Sequence, residues 1–197
     1  FAKHSDWLYC VKSLDEFAAL FKSTNPVAAA VTTKVSAELR NTASSLSTLV
    51  QAAVENHVAG AYWNADDVWT GFCHRVEAEV DQAHYLAHSV DLTGIGTWLV
   101  EHDPSICIIE VRATVQVSVD VNVEFFVYDT IDHDELNFGS LEVTRNHEME
   151  VDVFITLRGD LEHVAVDELD PSIELAGGEY DVEVGEVDPD FGEESYA

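Results

Sequence analysis

The spacing of apolar residues divides the chain into three segments, and the first of them ends near residue 25. Trp7–Val11 is an apolar run of strand length, and Ser13 with Glu16 forms a capping box before a helical pattern. The pair predicts the last strand and helix of an α/β unit over residues 1–25. Because two elements cannot bury both of their faces, we expect their partners to lie upstream of Phe1, in a longer natural chain.

Helical spacing continues from residue 26 to residue 88 and predicts a helical segment. The first part predicts one long or broken helix, and Gly60, Asn64 and the Asp66-Asp67 pair predict a turn. A second amphipathic helix is expected after the turn, because apolar residues recur there at intervals of three and four. They are Trp69, Cys73, Val76, Val80, Ala83 and Ala87. The two helices are expected to pack as an antiparallel helical hairpin that buries Trp63 or Trp69.

Residues 89–187 follow a period of two instead, which predicts an antiparallel β domain. Apolar and polar residues alternate from Val111 to Glu124 and again from Met149 to Arg158. Shorter strands are expected near 163–166, 173–175 and 180–184, and a disordered acidic tail over 188–197. The predicted fold class is therefore α+β: the terminal strand and helix of an α/β unit, a helical hairpin, then an antiparallel β-sheet or open sandwich.

Charge is unevenly distributed along the chain. Residues 1–60 contain five Lys or Arg and five Asp or Glu, whereas residues 61–197 contain four and thirty-three, so the net charge of -29 arises after residue 60. Such a surface repels phosphate, and we expect no direct nucleic-acid binding by residues 61–197. Three interpretations of the acidity stay open: solvation in concentrated salt, binding of divalent cations, and mimicry of nucleic acid toward a basic partner.

Cysteine usage and hydropathy suggest a compartment. Cys10, Cys73 and Cys107 are odd in number and contain no CxxC pair, which indicates neither a disulfide framework nor a zinc ribbon. No apolar run has the length of a membrane span and no basic leader opens the sequence. We therefore expect a cytoplasmic protein without a membrane partner.

One stripe of possible metal ligands occurs in the second predicted helix. Its members are spaced by three and four residues: His74, Glu77, Asp81, His84 and His88. On one continuous helix they would share a face, and His84 with His88 could bind a cation together. The alternative is a solvated polar flank beside the apolar face of that helix.

A second acidic group lies in the connection between the two long predicted strands. Asp129, Asp132, Asp134 and Glu135 could bind Ca²⁺ or Mg²⁺, but the glycine and the twelfth-position Glu of a calcium loop are absent. An acidic hairpin loop is the preferred interpretation. The chain also contains no Gly-rich phosphate loop, GxSxG elbow or HExxH motif.

The opening run Phe1-Ala-Lys-His-Ser-Asp-Trp7, with the strand and the Ser13-Leu-Asp-Glu-Phe helix after it, resembles the closing segment of PIN-like nuclease domains. Some proteins of this kind are similar further along, with a helical segment and then an acidic antiparallel β domain. The runs that carry this similarity are Val111–Val127, Tyr128-Asp129 and Glu148–Leu157.

The resemblance implies Mg²⁺- or Mn²⁺-dependent cleavage of RNA by clustered acidic residues. Most of such a core would precede Phe1, and only Asp6 lies where the last catalytic acid would fall, with a shortened stretch between it and the last strand. We therefore expect this chain alone to be a non-catalytic accessory region that binds a protein partner or its own upstream domain. The alternatives are a part of an active metal-dependent RNase, and a stand-alone acidic inhibitor that mimics nucleic acid.

Overall fold

The computed structural model describes residues 25–100 and 102–189, and the fold there belongs to the α+β class with a mostly antiparallel sheet, as predicted. Within these ranges there are two helices, six strands and one 3-10 turn. They are α1 (Pro26–Arg40), α2 (Ser45–Gly60), β1 (Tyr62–Trp69), β2 (Arg75–Val100), β3 (Asp103–Asp129), β4 (Asp134–Arg158), the turn Val166–Glu168, β5 (Ser172–Leu175) and β6 (Glu179–Glu186). The strand and helix expected in residues 1–24, and positions 190–197 of the expected tail, lie outside the described residues.

Side-chain caps separate the two helices and explain why the first helical pattern is broken. The Asn25 side chain accepts a hydrogen bond from the Val27 N–H, and Pro26 occupies the first turn, where its missing donor costs nothing. At the break, the Ser44 hydroxyl accepts from the Ser47 N–H at 3.1 Å and donates to the Glu38 carbonyl at 2.8 Å. Ser44 therefore ends one helix and begins the next.

The three long strands and the short β5 form one four-stranded sheet in the order β2-β3-β4-β5. The short connections after β2 and β3 make consecutive strands antiparallel, since a parallel arrangement needs a crossover of a dozen residues or more. Odd-numbered residues are buried from Cys107 to Phe125 in β3 and from Met149 to Leu157 in β4. The alternation predicted from the sequence is confirmed, and the strands extend well beyond the predicted runs.

The second predicted helix is wrong, because residues 62–69 and 75–88 are strand. Along β2 the exposed and half-buried positions alternate, but two successive residues are exposed at 81–82, 86–87 and 93–94. Each of these slips, a pair of exposed neighbours, adds one residue to the period of two, as a β-bulge does. The half-buried residues Val76, Val80 and Ala83 are therefore spaced by four and then by three, which are also the intervals of a helix. The pattern that imitates a helix is an interrupted strand. Trp63 and Trp69 consequently lie on β1 rather than between two helices.

The smaller strands also correct one expectation. β5 and β6 coincide with predicted strands, whereas 163–166 is not a strand and leads into the 3-10 turn. β6 pairs with β1 in a separate two-stranded sheet, and this pair is parallel. The period of two in β6 predicts a strand but carries no information about the direction of its partner.

The chain divides into two compact units, each assembled from three separate segments. The first contains residues up to Val50, Asp91–Arg112 and Val153–Glu174, and the second contains Gln51–Val90, Ala113–Asp152 and the residues from Leu175 onward. β2, β3 and β4 contribute residues to both. In the described part of the chain, neither helix combines the length and the hydropathy that a membrane-spanning helix requires.

Lys34 is a structural anchor in the first unit. Its Nζ atom donates to three backbone carbonyls of one loop, those of Leu161, Glu162 and Val164, at 3.0–3.2 Å. These carbonyls lie in a turn before the 3-10 segment and need donors that the strand ladders do not supply. The three hydrogen bonds of this one ammonium group therefore hold α1 against that loop.

Replacing Lys34 with Met should destabilise the protein. The variant Lys34→Met retains the aliphatic stem but removes the charged donor, and we expect a loss of about 1–3 kcal/mol in the free energy of unfolding. Urea titration followed by circular dichroism measures this loss. Arg40→Met, at an exposed position in the last turn of the same helix, is the matched control for charge. An equal loss in the two variants would show that Lys34 acts only through net charge.

Candidate interaction site at an acidic hairpin

The stripe of possible metal ligands is dispersed along β2. On a strand, its first and last members are separated by roughly 46 Å of chain, at about 3.3 Å per residue. His74 and Glu77 belong to the ion pairs around Arg75 and Glu135. His84 lies beside Asp120, His88 lies against Tyr85, and Asp81 lines a cavity. Within residues 25–100 and 102–189, no three His, Cys, Asp or Glu side chains are grouped so as to hold a metal ion. The shared face required a helix, and that helix does not form.

His84 belongs to a polar cluster on the sheet. Its Nε2 atom lies 3.2 Å from the Asp120 Oδ2 atom, and the Thr144 hydroxyl donates to Asp120 Oδ1 at 2.8 Å. The carboxylate therefore lies between the imidazole and the hydroxyl. In a nucleophile–histidine–acid triad the histidine lies between the other two groups, so this order of groups is not that of a triad.

His88 is half-buried and lies against Tyr85, with 2.7 Å between its Nδ1 atom and the tyrosine hydroxyl. Burial lowers the pKa of His88, and the Glu55 carboxylate opposes that effect in part. Burial also raises the pKa of the Cys107 thiol to about 11, which leaves it protonated and unreactive at neutral pH.

The connection between β3 and β4 is a tight acidic turn. The Asp129 carboxylate accepts from the Ile131 N–H at 2.7 Å, and His133 has a φ of 57°, in the left-handed region that a chain reversal requires. Asp132 and Asp134 flank these positions. The preferred interpretation of this segment as a hairpin loop agrees with the structure.

Exposed apolar side chains concentrate beside this turn. Nine large hydrophobic side chains are exposed in the described residues, and five belong to the hairpin or to the segment before β2. We call these five the hairpin surface: Phe72, Tyr128, Ile131, Leu136 and Phe138. Ile131 is 84% exposed, and the Phe72 and Phe138 rings lie 5.8 Å apart. Single exposed apolar residues are ordinary, whereas a group marks a candidate interaction site.

Arg75 supports the base of the hairpin surface. Its guanidinium lies 4.3 Å from the centre of the Phe126 ring and donates to both Glu77 and Glu135, at 2.7 Å from the latter. The nearby His74 ring lies 5.7 Å from that of Tyr128. Arg75 is thus neutralised by two carboxylates, and it stiffens the strand pair rather than offering a positive site to a ligand.

The site combines apolar and acidic side chains. It presents half-exposed rings and aliphatic chains beside the carboxylates of Asp129, Asp132 and Asp134, and it contains no activated nucleophile. Sequence reasoning identified these acids and missed the apolar residues among them. The available signal was the presence of Ile131, Leu136 and Phe138 inside a strongly acidic segment, where a solvated loop needs no large apolar side chain.

Searches against protein-family models, curated proteins and solved structures each find no match to this chain. The resemblance of the opening residues to PIN-like nuclease domains stays a prediction, and Asp6, its candidate catalytic residue, lies outside the described residues.

His88 should make stability depend on pH. Because its folded pKa is lowered from 6.5, the unfolded state binds a proton first as pH falls, and stability present above pH 6.5 is lost below it. His88→Gln retains a hydrogen-bonding side chain and removes this dependence. Urea titrations at pH 7.5 and 5.5 in concentrated KCl should show a smaller decrease for the variant than for the wild type. The exposed His102→Gln should behave like the wild type; equal decreases in all three proteins would contradict the assignment.

Proposed function

We propose that this chain is a non-catalytic protein-interaction region, and that the hairpin surface is where a partner binds. The observation that supports the proposal is the concentration of exposed apolar side chains in the acidic hairpin and the segment before β2, where the Phe72 and Phe138 rings lie 5.8 Å apart. Burying such side chains against a partner is favourable in proportion to the apolar area removed from water. Phe72 and Phe138 form its aromatic centre, and Ile131 extends it at the tip of the hairpin.

Charge identifies the class of partner. Asp129, Asp132 and Asp134 lie beside the apolar side chains, and the chain carries a net charge of -29. A partner with an apolar centre and a rim of Lys or Arg is complementary to this arrangement, whereas an acidic partner or nucleic acid is repelled. The partner is therefore a basic protein surface. Mimicry of nucleic acid would use the same acids but would not require the apolar side chains.

The resemblance to PIN-like nucleases suggests where such a partner is found. We propose that this region accompanies a PIN-like ribonuclease domain, located upstream in the natural protein or in another chain, and acts as its accessory or regulatory surface. The rival proposal is that the assembled protein is a Mg²⁺- or Mn²⁺-dependent RNase in which these residues shape access to the metal. Solvation in concentrated salt explains the acidity but gives no role to the exposed apolar side chains of the hairpin surface.

Binding to matched basic peptides tests the interaction proposal. One short peptide alternates Lys and Leu, and the other has equal length and charge but alternates Lys and Ser. Fluorescence anisotropy should give about tenfold tighter binding of the Lys/Leu peptide. The double variant Phe72→Ser/Phe138→Ser should lose this difference and retain the weaker, salt-sensitive attraction that both peptides share.

Leu86→Ser is the matched control, because Leu86 is 53% exposed and is not part of the hairpin surface. It should preserve the preference for the Lys/Leu peptide, and thermal unfolding should confirm that all variants are folded. Equal affinity of the wild type for the two peptides would reject the proposal. So would an equal loss of preference in Leu86→Ser and in the double variant.

A nuclease assay tests the non-catalytic part of the proposal. Residues 1–197 incubated with RNA and either Mg²⁺ or Mn²⁺ should release no more product than a buffer control. Most acids of a PIN-like core would precede Phe1, and no three His, Cys, Asp or Glu side chains are grouped to hold a metal in residues 25–100 and 102–189. Asp6→Asn should leave that result unchanged. Cleavage by the wild-type chain that Asp6→Asn abolishes would overturn the non-catalytic proposal and favour the RNase alternative.

A further inference from the structure

A half-open cavity of about 260 Å³ lies in the second unit between the end of α2, the start of β1 and the middle of β2. Its volume is below the range of roughly 300–1,000 Å³ typical of sites for drug-sized ligands, so it suits a smaller molecule. Alanine and valine side chains form part of the wall. Tyr62, Trp63, Asp81 and Gln82 provide the aromatic and polar groups.

Trp63 is held rigidly and offers aromatic surface to this cavity. Its indole N–H donates to the Val58 carbonyl at 3.1 Å, so its polar atom is already satisfied. The Tyr180 ring lies 5.0 Å away and the His147 ring meets it edge-on at 6.1 Å. The Tyr180 hydroxyl is in turn hydrogen-bonded to His57 at 2.7 Å. The rotamer of Trp63 is therefore determined before any ligand arrives.

The polar side of the cavity is negative. Asp81 is exposed, and its carboxylate forms no hydrogen bond or ion pair within the described residues. Tyr62, 65% exposed, also lines the cavity, but it precedes Trp63 in β1, where successive side chains point to opposite faces. A single carboxylate cannot supply the several oxygen ligands that Ca²⁺ or Mg²⁺ requires. An organic cation needs no such shell, because aromatic rings and one carboxylate stabilise its diffuse charge.

We propose that this cavity binds a small organic cation with a methylated ammonium group. Aromatic surface from Trp63 contacts the methyl groups, and Asp81 balances the charge. The proposal is independent of partner binding at the hairpin surface, since the two share no residue. It assigns a role to Asp81, the residue of the predicted metal stripe that lines this cavity.

Choline and its neutral carbon isostere dimethylbutanol are the probes, because they differ in charge and hardly in shape. The Trp63 indole resonance, assigned by its loss in Trp63→Phe, is followed by NMR at constant KCl. It should shift saturably with choline and not with dimethylbutanol. Asp81→Asn should weaken choline binding by about fivefold or more.

Glu142→Gln removes one exposed carboxylate that does not line the cavity and is the control for net charge. It should bind choline as the wild type does. Equal shifts with both probes would show an apolar pocket without preference for cations. No saturable shift, or equal weakening in Asp81→Asn and Glu142→Gln, would show only general attraction of counterions, and each of these results overturns the proposal.

Discussion

The burial of one face of β3 is the interaction on which the other elements depend. Every odd-numbered residue from Cys107 to Phe125 is removed from water, and seven successive valines or alanines occupy the middle of this run. Each buried valine contributes about 1.5–3 kcal/mol relative to its exposed state. Because β3 lies between β2 and β4, a slip of one residue would expose the whole set. The same burial therefore determines the register of its neighbours.

The excess of acid is compatible with this core because the alternation separates the two kinds of residue. Even-numbered positions of β3 carry Asp120, Asn122 and Glu124, which stay at least partly in contact with water. β2 has no strand beyond it in the four-stranded sheet, and its pattern slips three times. Such slips and exposed charges discourage an edge strand from pairing with another chain. The charge that solvates the sheet also protects its edge.

Two places in the second unit depart from this division and combine aromatic or apolar surface with carboxylates. At the hairpin surface the Phe72 and Phe138 rings lie 5.8 Å apart, and Trp63 lines the cavity. In both, long-range charge attracts positive groups and the local apolar surface discriminates among them. We propose a basic macromolecular partner for the hairpin surface and a small organic cation for the cavity. An acidic protein can in this way be selective although its charge is spread widely.

The period of two from Val111 to Glu124 determined by itself that β3 is a half-buried strand, since alternate side chains of a strand point to opposite faces. Asn25-Pro26 likewise marks the start of α1 through a cap that needs only neighbouring atoms. Along β2 the spacing of apolar residues predicted a helix where a strand forms. Slips in a strand reproduce intervals of three and four, and local sequence cannot distinguish them from a helix turn.

For the same reason, the sequence alone predicts only part of the two candidate sites. Charge in the 129–135 connection is a property of composition, so the sequence alone identified an acidic hairpin. The approach of Phe72 to Phe138, and of Tyr180 to Trp63, joins residues more than sixty positions apart. Contacts of that range depend on strand order and on the parallel pairing of β1 with β6. Only the tertiary structure decides them, because periodicity determines which face a residue occupies and not which distant residue lies beside it.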